Sequence, residues 1–128
     1  MRKNLLTVCA LFSSLVASAQ VTLTPVGSYH TGVFDAAATE IMAWNAEDEL
    51  VYSTNGATVA IDAIDLSDPT NPSLDFSIDL TSYGSGVNSV AYVDGYVVAA
   101  VEANDPQADG SAVFFDAAGN FVVQVTVG

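Results

Sequence analysis

The sequence predicts an all-β protein: the first two four-stranded blades of an incomplete β-propeller, behind an N-terminal signal peptide. Three observations carry that expectation. From residue 41 onward, short apolar or β-branched runs alternate with clusters of Gly, Pro, Asn and Asp. No long stretch repeats its apolar residues at the helical period, and residues 35–40 give one helical turn at most. The runs also fall into two successive series of four that overlay on one another.

Residues 1–19 have the three-part layout of a secretory signal. Arg2 and Lys3 supply the positive end, residues 5–16 the apolar stretch, and Ala17-Ser18-Ala19 the small residues a signal peptidase accepts. The apolar stretch is shorter than the ~20 residues a helix needs to span a bilayer, which disfavours an uncleaved anchor. Cleavage after Ala19 is expected, leaving Gln20 as the new N-terminus, no membrane span and a secreted or cell-surface product. Cys9, the only cysteine, sits inside the apolar stretch behind Val8 and is discarded with it.

Beyond Ala19 the chain keeps all 15 of its acidic residues and loses both basic ones, a formal charge of −15. That excludes nucleic-acid binding, which needs cations to displace phosphate counterions. It also excludes adhesion to anionic lipid through a basic patch, and any disulfide or thiol chemistry. With 51% hydrophobic residues the full chain is too apolar for a disordered acidic tail. Mutual repulsion among these charges opposes the compact state and is screened by salt. The melting temperature is therefore expected to rise between about 10 mM and about 1 M NaCl. A flat melting curve would contradict this, and a parallel scan with calcium against EDTA separates screening from metal binding.

The elements follow in order. Residues 20–39 form a lead-in whose Val21-Thr22-Leu23-Thr24 alternation predicts a strand, interrupted by Pro25 and Gly27. The first blade, about 40–86, has strand runs at 41–44, 49–54, 59–66 and 74–80. Asn55-Gly56 predicts a tight turn with positive φ, and Pro69 and Pro72 forbid both helix and central strand. The second blade, about 87–128, has runs at 89–93, 96–102, 111–116 and 121–127. Asp94-Gly95 is its strongest hairpin signal.

Ala43-Trp44 answers to Ala91-Tyr92, Asp65 to Asp116 and Leu74 to Phe121, each pair about 50 residues apart, with the drift absorbed in loops. A four-stranded sheet has an apolar face that it cannot bury alone, so it must stack on a neighbour. Two blades do not close a ring, which takes roughly four to eight. Further blades C-terminal to Gly128 are therefore expected as partners, and these two are expected to fold poorly without them. The rival with the same strand spacing is a complete eight-stranded sandwich.

The stretch Ala60-Ile61-Asp62-Ala63-Ile64-Asp65-Leu66-Ser67-Asp68-Pro69-Thr70-Asn71-Pro72 resembles the LVIVD repeat of secreted bacterial propellers. More widely, residues 26–128 resemble the N-terminal part of the choice-of-anchor I family. Tyr29, Thr31-Gly32-Val33-Phe34-Asp35, Ala38 and Glu40-Ile41 carry that likeness first, then Gly86-Val87-Asn88-Ser89-Val90-Ala91. Val101-Glu102-Ala103, Val113-Phe114-Phe115-Asp116 and Gly119-Asn120-Phe121 complete it. The resemblance implies an exported propeller with one of several C-terminal sorting or anchoring signals. Relatives resemble mesenchyme-specific cell-surface glycoproteins, and some are labelled alkaline phosphatases. It implies no catalytic residue.

Among residues that could carry chemistry, the carboxylates come first. Glu102, Asp105 and Asp109 border or occupy the loop at 103–110 and are candidate calcium ligands, since hard oxygens on a flexible loop suit that ion. The spacing is not that of an EF-hand, and Asp also favours turns for its backbone hydrogen bonds. Asp62, Asp65, Asp75 and Asp79 alternate with apolar residues and read as solvated strand faces, and Glu47-Asp48-Glu49 as an exposed hairpin turn. His30, the only histidine, reads as a loop or edge residue despite Ser28, Thr31 and Asp35 nearby. Gly84-Ser85-Gly86 lacks the third glycine and the helix of a phosphate loop and reads as a turn between blades. Trp44, Tyr52, Tyr92 and Phe114 read as core between stacked sheets rather than a sugar platform.

The expected role is that of an exported or cell-surface binding and scaffold module for an extracellular ligand, with no catalytic residue in this segment. The alternative is the N-terminal part of a metal-dependent extracellular phosphatase or phosphodiesterase, to which Glu40 or Glu102 would lend ligands.

Overall fold

The structure, a computed structural model, describes residues 21–128; the signal segment and its cleavage site lie outside the described residues. Eight strands follow in order: β1 (Met42–Asn45), β2 (Leu50–Asn55), β3 (Ala60–Asp65), β4 (Ser73–Asp79), β5 (Gly86–Val93), β6 (Tyr96–Glu102), β7 (Gly110–Asp116) and β8 (Phe121–Val127). They form two four-stranded sheets in the orders β1-β2-β3-β4 and β5-β6-β7-β8, antiparallel throughout. Each sheet uses only consecutive strands. A Greek-key sandwich would interleave strands between its sheets, so the chain is two blades of an unclosed propeller and not a closed sandwich.

The internal repeat is visible in the backbone irregularities. The register of β3 on β4 slips between Ala63 and Ile64, and that of β7 on β8 between Phe114 and Phe115. Both bulges lie immediately before the Asp that ends the third strand of its blade. Those two residues also act alike: Asp65 Oδ1 accepts the Ser67 amide at 2.7 Å, and Asp116 Oδ1 accepts the Ala118 amide at 3.0 Å.

Turn chemistry follows the sequence in one hairpin and departs from it in another. Asp94 and Gly95 both have positive φ, 50° and 84°, the two-residue turn whose twist matches antiparallel strands. Asn55-Gly56 does not form such a turn. The left-handed residue there is Val59, with φ 55°, at the end of a four-residue loop. The Asn55 side chain holds the loop by accepting the Thr58 amide at 3.3 Å. Asn45 does the same in the preceding hairpin, accepting the Glu47 amide at 3.0 Å, with Glu49 left-handed at φ 55°. Side-chain capping by Asn, rather than glycine's conformational freedom, sets both turns.

The core lies between the sheets. One face of the first blade contributes Leu50, Tyr52, Ile61, Ala63 and Ile78, and one face of the second contributes Val90, Val97, Ala99, Val113 and Phe115. Tyr52 is fully buried, stacks on Tyr92 with ring centroids 5.5 Å apart, and donates its hydroxyl to the Ala117 carbonyl at 2.8 Å. Burial raises its pKa above the ordinary tyrosine value. Tyr83, Phe115 and Phe121 form a second aromatic group, with Tyr83 stacked on Phe121 at 5.6 Å. Gly119, with φ 83°, lets the β7–β8 turn press on Phe76, whose ring lies 3.0 Å from where a Cβ would sit. Trp44 and Phe114 depart from the expected core role. Trp44 is half exposed, because it pairs with Val51 on the opposite face from Tyr52, and Phe114 pairs with Val98 and Val123 on the outer face of the second blade.

The lead-in also departs from expectation. Residues 21–24 form no strand, and the first strand among the described residues begins at Met42. The segment crosses the outer face of the first blade as a strap. The Ala37 carbonyl accepts the Ala57 amide at 3.1 Å, and Gly27 sits where a Cβ would collide with the Pro69 carbonyl. Under this strap Ser53, Asn55, Ala60, Asp62 and Ile64 are buried although they point away from the core between the sheets. An extended segment can cover a sheet face without hydrogen-bonding to its edge, which the alternation of Val21–Thr24 cannot reveal.

Candidate functional site

Five of the carboxylates prove to be turn caps. Asp65, Asp68, Asp79, Asp105 and Asp116 each accept the backbone amide two residues ahead. Asp65 and Asp79 therefore sit at strand ends and hold turns rather than forming solvated strand faces. Asp65 is held below the ordinary carboxylate range first by the Ser67 amide, Asp68 and Asp79 by the hydroxyls of Thr70 and Thr81, and Asp116 by the Asn120 side chain.

A depressed folded-state pKa means that the ionised form favours the native state. The contribution is present above the unfolded value, near 4, and is lost as pH falls through the folded value. Acid unfolding is therefore expected to steepen below about pH 4. Asp116→Asn should flatten that limb, read by circular dichroism across an acid titration. An unchanged limb would contradict the role given to Asp116.

Asp62 differs from the others. It is only 6% exposed, beneath the strap, and not on a solvated face. Its Oδ2 accepts Asn55 Nδ2 at 2.8 Å and its Oδ1 accepts the Ser77 hydroxyl at 2.6 Å. Described residues 21–128 hold no Lys or Arg, so both partners are neutral.

Glu102 ends β6 with its side chain exposed, and its backbone carbonyl accepts the Ser85 amide at 3.0 Å. Asp105 binds the Gln107 amide within the β6–β7 loop, and Asp109 lies beside Gly128. Among the described residues no three Asp, Glu, His or Cys side chains are grouped so as to hold a metal ion. His30 lies exposed in the strap, with Nε2 3.2 Å from Ser28 Oγ. Gly84 is a close-approach position against the Glu102 carbonyl, and Gly86 opens β5.

Two clefts separate the strap from the outer face of the first blade. The larger, about 820 Å³, has Met42, Val51, Ile64 and Leu66 on the sheet side and Phe34 and Glu40 on the strap side. The smaller, about 460 Å³, is bordered by Asn55, Thr58, Asp62, Ser77, Asp79 and Thr81. Tyr29, Thr31 and Val33 of the strap line both. Sequence reasoning missed these clefts. The available signal was the run of small residues at 36–38 before the first strand, which lets the strap lie close.

The profile of the choice-of-anchor I domain matches residues 40–128, all eight strands of both blades. This chain belongs to the choice-of-anchor I domain family. The match begins at Glu40, so it spans both blades and leaves the strap outside. At the family level, choice-of-anchor I membership places the chain among cell-surface-associated modules. No curated protein and no solved structure matches this choice-of-anchor I chain. Among the described residues no helix is long and apolar enough to cross a membrane.

Proposed function

We propose that the chain is exported through residues 1–19, cleaved after Ala19, and displayed at the cell surface as a propeller segment acting as a binding and scaffold module. The observation that carries this reading is the outer face of the second blade. β8 is exposed along its whole length, with Val123, Val125 and Val127 each 44–50% open. These residues continue the half-buried Phe114, Ala112 and Val98 into one apolar sheet face without a charge at its centre. An apolar sheet face of this kind is stable when another sheet covers it. A further four-stranded blade of the same chain is the partner that fits, as the first blade fits the second.

The test uses intact cells of the source and a protease that cleaves at Asp and Glu, because trypsin has no site beyond Lys3. Peptides from both blades should be released from intact cells. Their release only after lysis would contradict surface display. The same cells, given a phosphate ester with calcium, should show no hydrolysis that disappears when this gene product is removed. Such hydrolysis would favour the phosphatase alternative.

A further inference from the structure

We propose that the two clefts beneath the strap form one binding site for a peptide segment carrying a lysine beside an apolar side chain. The larger cleft has the size and lining of a site for an apolar group, with aliphatic side chains from three strands or their ends. The smaller cleft is its polar continuation, joined to it through Tyr29, Thr31 and Val33.

Charge decides the class of ligand. Asp62 has been taken out of water with two neutral donors, a costly arrangement for a carboxylate. A carboxylate offers about four acceptor positions, and the protein fills one on each oxygen of Asp62. Asp79 spends Oδ1 on the Thr81 amide and hydroxyl, and among the described residues its Oδ2 receives no donor. An ammonium group brings three donors and the missing positive charge, whereas an anion would be repelled. A lysine also has an aliphatic stem that suits passage from an apolar cleft into a polar one. The strap is extended and exposed, with Phe34 95% open, and its hydrogen bonds to the blade are few. It can therefore yield to an incoming segment.

This site lies on the opposite side of the molecule's two-sheet stack from the open face of β8. Its failure would leave the scaffold reading standing.

The experiment titrates the intact protein with acetyl-Leu-Lys-amide and, separately, with acetyl-Leu-norleucine-amide, its uncharged counterpart. Calorimetry gives affinity, and fluorescence of Trp44, the only tryptophan, reports on the outer face of the first blade. The lysine peptide should bind at least about tenfold more tightly than the norleucine peptide, the scale of a charge-assisted hydrogen bond. Asp62→Asn and Asp79→Asn should each weaken it by a similar factor, and Asp79, on an exposed turn, keeps the test valid where the buried Asp62 variant unfolds. Asp94→Asn, which removes the same charge from the second blade, should leave binding unchanged. Equal binding of the two peptides, no binding at millimolar concentration, or equal weakening by Asp94→Asn would overturn the proposal.

Discussion

Tyr52→Ala is expected to destabilise the protein by about 4 kcal/mol, the range for removing a large buried aromatic. Tyr52 links the blades in three ways. It fills the core between the sheets, stacks on Tyr92 of β5, and bonds the Ala117 carbonyl in the β7–β8 turn. Alanine leaves a cavity at that junction and a carbonyl without its donor. Tyr52→Phe keeps the packing and should cost only about 1 kcal/mol, the net worth of one hydrogen bond. Denaturant midpoints of the two variants check the pair. A Tyr52→Ala loss under about 1 kcal/mol would mean that the ring does not sit between packed sheets.

Asn55→Ala is expected to cost about 3 kcal/mol by a different route. Its amide is a donor to buried Asp62, and its carbonyl oxygen caps the β2–β3 loop at Thr58. Removing it strips a carboxylate of one donor in a site with no cation, and loosens the turn whose Val59 is left-handed. The double variant Asn55→Ala/Asp62→Ala should cost less than the sum of its parts, since the second change removes the group left stranded by the first. Additive losses in thermal or denaturant melts would show that the two side chains do not interact.

Both residues show where sequence reasoning reaches its limit. Strand runs, the Asp94-Gly95 hairpin and the two-fold repeat were legible because they depend on local propensity and on spacing along the chain. Tyr52 was legible as core for the same reason, since alternation assigns it a face. Trp44 was not, because both faces of the first blade carry large apolar side chains and alternation does not say which face meets the neighbouring blade. Asp62 read as solvated because an acidic residue between apolar ones normally points to water. What buries it is a segment some 30 residues earlier that forms no secondary structure and so leaves no periodic signal. Asn55-Gly56 misled in turn: the pair usually marks glycine at positive φ, but here the asparagine side chain does the turning.

The second blade's open face was expected from the repeat. The first blade's covered face was not, and it changes the picture of how the unit stands alone. Its buried Ile64 and Ala60 are shielded by the strap, while β8 has no such cover among the described residues.

The most direct measurement is a nuclear Overhauser spectrum of the intact protein with isotope-labelled tyrosine. The chain has five tyrosines, few enough for their rings to be assigned one by one. If the two sheets stack face to face, cross-peaks join the rings of Tyr52 and Tyr92, whose centroids lie 5.5 Å apart. Cross-peaks from each ring only to its own sheet would contradict the stacking, and with it the blade architecture.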